Sequence, residues 1–198
     1  MTKIIGLTGG IGSGKTTIAK HIESKGIPVY IADDIAKKVL EQPEIKKEIA
    51  AHFGEEIFEN GKLNRQKLAE IVFNNPFNLE QLNNIVHPAV RRDFDSWLLQ
   101  HSHFHWVVKE AAILFESGSY KDCDVIITVT APLEDRIQRI VARDKTTVEN
   151  IMDRIKNQWT DEMRIEKSDY VVENVDIKVA KHQIDEILKK LNNQQKLT

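Results

Sequence analysis

The chain has 198 residues, of which 41% are hydrophobic and 29% are charged, as is typical of a globular protein and not of a disordered one. Its 28 lysines and arginines nearly balance 30 aspartates and glutamates, which excludes a global attraction to nucleic acid or to anionic membranes. The single cysteine, Cys123, cannot form an intramolecular disulfide or a cysteine-rich zinc site. The sequence shows neither a signal-peptide pattern nor a membrane-spanning apolar run, so we expect one cytoplasmic domain.

The first residues predict a βαβ unit. Residues 3–8 form an isoleucine-rich run typical of a buried strand, and a glycine-rich loop follows directly. Residues 15–25 have the pattern of a helix that Gly26 ends, and residues 27–31 predict a second strand followed by another helix. A strand–helix–strand opening favours a parallel sheet with a right-handed crossover.

The middle of the chain has a different pattern. From residue 43 to residue 100 the strand signal disappears and three helices are predicted, the last of which contains Pro88, a residue that kinks or interrupts helices. The rest of the chain alternates again, and its tail at residues 192–198 is polar and expected to fray. The predicted strands lie at 105–109, 124–130 and 169–173. Pro132 is predicted to open a helix that includes residues 133–141, and further helices are predicted at 147–159, 160–167 and 177–191. The fold class is therefore α/β.

A phosphate-binding loop is the strongest motif in the chain. Gly9 and Gly14 are separated by four residues and followed by Lys15 and Thr16, which matches the P-loop pattern without a mismatch. Glycines let several backbone N–H groups converge on phosphate oxygens, and the following helix adds the positive end of its dipole. Lys15 reaches the β- and γ-phosphates in such loops, and the Thr16 hydroxyl is placed to ligate Mg²⁺. We therefore expect binding of a nucleoside triphosphate.

The P-loop alone does not select a reaction. The guanine-reading Asn-Lys-x-Asp motif of GTPases does not follow Thr130, and no apolar strand ends in the Asp-Glu pair of oligomeric ATPases. Two interpretations of the P-loop remain open at this point. One is a small-molecule kinase, and the other is a non-catalytic nucleotide sensor.

The acceptor side has one candidate carboxylate. Asp33 directly follows the second predicted strand, at the edge where parallel sheets bind ligands, and could accept the proton of an acceptor hydroxyl. The alternative is that Asp33 or its neighbour Asp34 only caps the next helix.

Charged residues elsewhere are open to two interpretations as well. Arg136, Arg139 and Arg143 share one helical face, which could close over a phosphoryl group or be a merely solvated face. Glu116 follows an apolar segment that resembles a strand end, and could touch substrate or be structural. The predicted helical block adds two further candidates for an anionic acceptor, Arg65 and His87.

The chain resembles the dephospho-coenzyme A kinase family over residues 3–191. The run from Ile5 to Thr17 is very close to the start of that family's sequences, and further matches follow in the same order. They are Ala32-Asp33 with Ile35-Ala36, Leu63 with Arg65, His87-Pro88, Leu114-Phe115-Glu116, Arg143-Asp144, Arg154-Ile155 with Gln158, and Asp169-Tyr170 with Asn174. Two departures occur: Ile31 replaces the first Asp of the family's Asp-Ala-Asp segment, and Ala112 replaces a proline.

The resemblance implies a P-loop nucleotide kinase fold and a complete set of roles. ATP with Mg²⁺ is expected on the P-loop, with adenine near Asn174, and Asp33 is expected to orient or deprotonate the ribose 3′-hydroxyl of dephospho-coenzyme A. The implied ATP-binding residues are Gly10, Gly12, Ser13, Gly14, Lys15, Thr16, Thr17, Arg139 and Asn174. The implied catalytic residues are Lys15, Asp33 and Arg143, and the implied acceptor-binding residues are Asp33, Arg65, His87 and Glu116.

The same resemblance implies a division of the chain within one kinase domain. The nucleotide-binding core would comprise residues 1–42, 101–132 and 168–192, with a helical acceptor-binding insertion at about 43–100 and a lid at about 133–167. The substrates are then two small anionic molecules, with no nucleic acid or membrane partner. A kinase for another acceptor, such as a nucleoside monophosphate, remains the alternative within the same class, and the oligomeric state stays open.

Overall fold

The computed structural model describes residues 1–73 and 75–194, and these form two compact units. One unit contains Met1–Tyr30 and the described residues from His101 onward, and the other contains Ile31–Gln100. The strands are β1 (Lys3–Thr8), β2 (Val29–Ile31), β3 (Phe58–Glu59), β4 (Lys62–Leu63), β5 (Trp106–Glu110), β6 (Val125–Thr130) and β7 (Tyr170–Glu173). The helices are α1 (Lys15–Glu23), α2 (Ala32–Val39), α3 (Pro43–Phe53), α4 (Arg65–Phe73), α5 (Pro76–Gln100), α6 (Leu133–Asp144), α7 (Val148–Lys156), α8 (Asp161–Glu166) and α9 (Ile177–Gln194).

A five-stranded parallel sheet with the order β2-β5-β1-β6-β7 forms the centre of the first unit. The central strand β1 pairs in parallel with β5 on one side and β6 on the other. All of its residues after Lys3 are buried, as expected for a strand covered on both faces. Helices α1 and α9 pack on the sheet, and their apolar faces contribute Ile18, Ile22 and Ile184 to its core. The sheet thereby holds the carboxyl end of β1, where the glycine loop begins, in a rigid setting.

Helix boundaries in the first unit follow local sequence signals. Pro132 occupies the N-cap of α6, as the sequence predicts. Thr147 and Thr160 are the N-caps of α7 and α8, and their hydroxyls accept hydrogen bonds from the main-chain N–H groups of Asn150 and Met163. The predicted polar tail is helical as far as residue 194, and residues 195–198 lie outside the described part of the chain.

The described residues of the second unit form mainly helices, with one short hairpin. Helices α2, α3 and α4 all pack against α5, and their apolar residues form a separate core that includes Val39, Ile49 and Leu68. This unit starts at Ile31 and so includes α2, whereas the sequence places the insertion at about 43–100. Helix α5 continues from residue 76 to residue 100 with Pro88 inside it, so this proline does not end the helix.

Two local predictions were wrong. Strands β3 and β4 form an antiparallel hairpin inside the block that was expected to contain no strand. Its turn residues, Asn60 and Gly61, have positive φ angles of 51° and 73°, the conformation for which Asn-Gly is preferred. Residues 113–116, predicted to end a strand, form a turn instead.

Candidate active site

The P-loop has a backbone conformation that only glycine adopts without strain at three positions. Gly9, Gly12 and Gly14 have φ angles of 150°, 80° and 95°. The loop is also closely packed: a Cβ added to Gly9 would lie 2.1 Å from the carbonyl oxygen of Val129, and one added to Gly14 would lie 2.0 Å from Nδ2 of Asn174. The spacing of glycines seen in the sequence is therefore a requirement of this fold.

Lys15 begins helix α1 and is bound back to the loop. Its side chain is buried, and Nζ donates hydrogen bonds to the carbonyl oxygens of Gly9 and Gly10 at 2.9 and 3.4 Å. The first turn of α1 contains no acidic residue, so the positive end of the helix dipole is available to an anion. Thr16 and Thr17 follow and are exposed. The loop thus combines a fixed cation, a helix N-terminus and accessible hydroxyls.

Asn174 and Arg139 lie beside the P-loop. Nδ2 of the buried Asn174 donates a hydrogen bond to the carbonyl oxygen of Ser13 at 2.7 Å. Nη2 of Arg139 donates to the carbonyl oxygen of Asn174 at 2.8 Å, and its Nη1 is buried with no hydrogen-bond partner in the part of the chain that the structure describes. The structure therefore brings together the P-loop, the end of β7 and helix α6, and gives Asn174 a direct contact with the loop that its predicted position near adenine did not include.

The three arginines of the α6 face have different environments. Arg136 is 6% exposed and donates from Nε to the carbonyl oxygen of Ile11 at 2.9 Å. Arg143 is exposed and forms two hydrogen bonds, of 2.6 and 2.9 Å, with the carboxylate of its neighbour Asp144. These hydrogen bonds lower the pKa of Asp144. The side chain of Arg139 is intermediate, at 35% exposed against 63% for Arg143, so the three arginines share a helical spacing but not one environment.

Glu116 is part of an internal network. Its Oε1 accepts a hydrogen bond from the main-chain N–H of Trp159 at 2.8 Å and lies 3.5 Å from Nη2 of Arg164. Its Oε2 is buried and has no hydrogen-bond partner among the described residues. The ring of Phe115 stacks on Trp159 with the centroids 5.2 Å apart. These contacts favour the structural role for Glu116, and its contact with the acceptor stays a prediction.

The remaining acceptor candidates all belong to the second unit. Asp33 lies in the first turn of α2 and is half-buried, while its neighbour Asp34 is exposed and pairs with Lys37 at 2.8 Å. Ile31 occupies the N-cap position of this helix, so neither aspartate is the N-cap residue. Both carboxylates lie in the first turn and so interact favourably with the positive end of the helix dipole.

Arg65 and His87 are placed on α4 and α5. Nη2 of Arg65 donates to the carbonyl oxygen of Lys37 and to a carboxylate oxygen of Glu41, each at 3.0 Å. Arg65 is thus directed toward the helix that carries Asp33. His87 is half-buried, and burial lowers the pKa of its imidazole, which favours the neutral form.

One further candidate was missed by the sequence analysis. Glu110 is the last residue of β5, is 2% exposed and lies opposite Leu7 of β1, one strand from the point where the P-loop begins. Lys109 before it is also buried. A Lys-Glu pair that closes the apolar run Val107-Val108 is the signal that could have identified it, because charged residues are seldom buried without a purpose.

The residues at the P-loop also fit a magnesium ion. In the described part of the chain, no cluster of three or more His, Cys, Asp or Glu side chains could hold a metal by itself. Mg²⁺ at nucleotide sites needs no such cluster, because it retains water and takes most other ligands from phosphates. An exposed hydroxyl in the first helical turn, as at Thr16, is the protein ligand that this arrangement requires.

These features define the chain as a P-loop kinase of the small-molecule type. The dephospho-CoA kinase model of the CoaE family matches residues 3–179. A dephospho-CoA kinase of Bacteroides fragilis is 43% identical over 171 residues, which cover 86% of this chain and 83% of that protein. The crystal structure of TT1252 from Thermus thermophilus superposes with a TM-score of 0.87 at 33% identity, covering 96% of this chain and 98% of that one. A dephospho-CoA kinase from Campylobacter jejuni has a TM-score of 0.71 at 26% identity, with 98% and 100% covered. The chain belongs to the dephospho-CoA kinase family.

Proposed function

We propose that this enzyme transfers the γ-phosphoryl group of ATP to the ribose 3′-hydroxyl of dephospho-coenzyme A, the last step of coenzyme A synthesis. Membership of the family supplies the acceptor. The observation that carries the phosphoryl transfer is the P-loop itself, in which three glycines with positive φ angles and buried Lys15 form an anion site at the N-terminus of α1.

The ATP side uses charge that is already in place. Main-chain N–H groups from Gly10 to Thr17 would surround the phosphates, and Lys15 would hold the β- and γ-phosphates at the helix N-terminus. Thr16 would hold Mg²⁺, which when bound neutralises charge between the β- and γ-phosphates. Arg139, beside Asn174, is the first arginine candidate for a phosphate contact, because the described residues provide no hydrogen-bond partner for its Nη1. Arg143 is the second candidate and is the more exposed of the two.

The acceptor side provides a base and anion-binding groups. The carboxylate of Asp33 takes the proton of the ribose 3′-hydroxyl, and the oxygen of that hydroxyl forms the new bond to the γ-phosphorus. The bond between that phosphorus and the bridging oxygen breaks, ADP leaves, and the proton passes from Asp33 to solvent. Arg65 and neutral His87 would contact the acceptor, and we leave Glu116 out because its Oε1 is engaged by Trp159.

The lid that we propose is shorter than the sequence suggests. At one end of residues 133–167, Arg136 is bonded to the P-loop, and at the other end Gln158 is bonded to the P-loop and Arg164 contacts Glu116. These contacts restrict movement at both ends. The stretch from Lys145 to Lys156 is mostly exposed apart from buried Ile151, carries Arg154, and is the part left to close over the phosphates and exclude water.

The partners that we propose are ATP and dephospho-coenzyme A. No helix in the described residues has the length and apolar character that crossing a bilayer requires. We place the enzyme in the cytoplasm, where both substrates occur as small anionic solutes.

An acceptor panel tests the proposal. ADP release is measured with dephospho-coenzyme A, with a nucleoside monophosphate and with no acceptor. We expect turnover only with the first, and Lys15→Ala should lower it by a factor of about 10² or more. Turnover with a nucleoside monophosphate instead would assign a different acceptor, and ATP binding without ADP release would make the protein a sensor.

Asp33 has a matched control beside it. Asp33→Asn should lower kcat by a factor of about 10² or more, because the amide cannot accept the proton. Asp34→Asn alters an exposed carboxylate of the same helical turn and should leave kcat within about twofold of wild type. If both substitutions changed kcat to the same extent, Asp33 would have only a role in the stability of helix α2.

A further inference from the structure

The middle of the P-loop is held by side chains from outside the loop. Both main-chain groups of Ile11 are engaged: its carbonyl oxygen accepts from Nε of Arg136 at 2.9 Å, and its N–H donates to Oε1 of Gln158 at 3.0 Å. Ile11 lies between Gly10 and Gly12, at the point where the loop has least intrinsic stiffness. The orientation of this peptide is thus determined by α6 and by the segment after α7.

Arg136 fills the space against the loop. A Cβ added to Gly10 would lie 2.2 Å from its Nη2, so the guanidinium lies directly on the Gly10 backbone. A Cβ added to Gly12 would lie 2.7 Å from the Arg136 carbonyl oxygen. The side chain is 6% exposed and turns Nε toward Ile11, so its contact with the P-loop is to main-chain atoms.

A partly buried network of ion pairs fixes the orientation of Arg136. Its Nη1 donates to Oδ2 of Asp161 at 3.1 Å, and Oδ1 of the same carboxylate accepts from Nη1 of Arg164 at 3.1 Å. Arg164 is 1% exposed and reaches Glu116, which in turn accepts the N–H of Trp159. Two guanidinium cations thus share two carboxylates, so the set carries no net charge.

Burying charged groups costs free energy, and what this network provides in return is a single orientation of the Arg136 side chain. Replacing buried ion pairs with apolar side chains often leaves proteins equally stable, so stability does not account for it. A connected set of hydrogen bonds does restrict a side chain to one arrangement. Here that side chain is Arg136, and the group it holds is the Ile11 peptide in the loop that binds phosphate.

We infer that Arg136 is a positioning residue for phosphoryl transfer, that it acts through the Ile11 carbonyl, and that Asp161 sets its orientation. A P-loop stabilises transferred charge only when its N–H groups point at one place before the phosphates arrive. Arg136 holds the loop in that state. The inference rests on the proposed function, in which this loop binds the phosphates of ATP.

The test compares two aspartates of similar exposure. Asp161→Asn weakens the pairs with Arg136 and Arg164, and Asp185→Asn weakens those with His21 and Lys25 at the C-terminal end of α1. The side chains of Asp161 and Asp185 are 21% and 28% exposed. For Asp161→Asn we expect the KM for ATP to rise about 10-fold or more while the KM for dephospho-coenzyme A stays within twofold. Asp185→Asn should leave both KM values within twofold.

Two readouts do not depend on turnover. Hydrogen exchange of the amides of residues 10–14 in the nucleotide-free enzyme should accelerate in Asp161→Asn and not in Asp185→Asn, and calorimetry should show weaker ATP binding. Arg136→Lys, which keeps the charge but loses the planar fork, is the second variant and should behave like Asp161→Asn. Absence of turnover in the wild type would refute the proposed acceptor and leave these two readouts intact.

Unchanged ATP affinity and unchanged exchange in folded Asp161→Asn and Arg136→Lys would overturn the inference. So would equal effects of Asp185→Asn, because the loop would then respond to general destabilisation. A selective loss of ATP affinity, with faster exchange limited to the loop, supports it.

Discussion

Substitution of Asn174 by alanine separates two roles that this residue could have. The side chain is 4% exposed, and its Nδ2 donates to the carbonyl oxygen of Ser13 at 2.7 Å. Alanine leaves that buried carbonyl without its donor, which costs about 1–3 kcal/mol. In a chain of this size, 1 kcal/mol lowers Tm by roughly 2–4 °C, so the expected decrease is about 2–12 °C. The KM for ATP should rise as well, since the loop loses a tether.

Thermal unfolding and ADP-release kinetics of the same preparation decide the question. Asn192→Ala, on the exposed surface of α9, is the matched control and should change the free energy of unfolding by less than about 0.5 kcal/mol. If Asn174→Ala raised the KM for ATP without lowering Tm, the residue would contact the nucleotide and would not tether the loop. That result would refute the reasoning from the Ser13 hydrogen bond.

Three further outcomes are expected. Burial lowers the pKa of His87 below 6.5, so the unfolded chain takes up a proton at a higher pH than the folded chain does. The free energy of unfolding should therefore fall as the pH drops through 6.5. In chemical denaturation His87→Gln should weaken this pH dependence, and the control His182→Gln, at an exposed histidine, should not. Burial raises the pKa of the Cys123 thiol to about 12, so iodoacetamide at pH 8 should modify it only after unfolding, and rapid labelling of the native enzyme would contradict this. Arg143→Ala removes an exposed ion pair with Asp144 that is worth about 1 kcal/mol at most, so Tm should shift by less than about 4 °C. The kcat should fall, and an unchanged kcat would show that Arg143 is only a solvated surface charge.

The features that could be predicted from the sequence are those set by local pattern. Strand β1 was predicted with its observed bounds because a buried parallel strand is a continuous apolar run. The P-loop was identified because its positive φ angles require glycine at fixed positions within a few consecutive residues. The helix starts at Thr147 and Thr160 have the same local origin in their side-chain caps.

The features that could not be predicted depend on partners distant in sequence. Arg136 and Arg143 have the same helical spacing, yet one is buried on Ile11 and the other is solvated, because only the fold places Asp161 beside the first. Glu116 looked like a strand end because its apolar neighbours carry no information about Arg164, which lies 48 positions away. The hairpin at Asn60-Gly61 is different: its local signal was present, but strands of two residues show no alternation of polar and apolar residues.

The most direct test of the account is the identity of the phosphorylated product. Purified enzyme is incubated with ATP, Mg²⁺ and dephospho-coenzyme A, and the product is analysed by mass spectrometry and phosphorus NMR. We expect one ADP to be released for each coenzyme A formed, with the new phosphate on the ribose 3′-oxygen, and we expect Lys15→Ala and Asp33→Asn to lose this product. ADP release without coenzyme A, or phosphorylation at another oxygen, would contradict it.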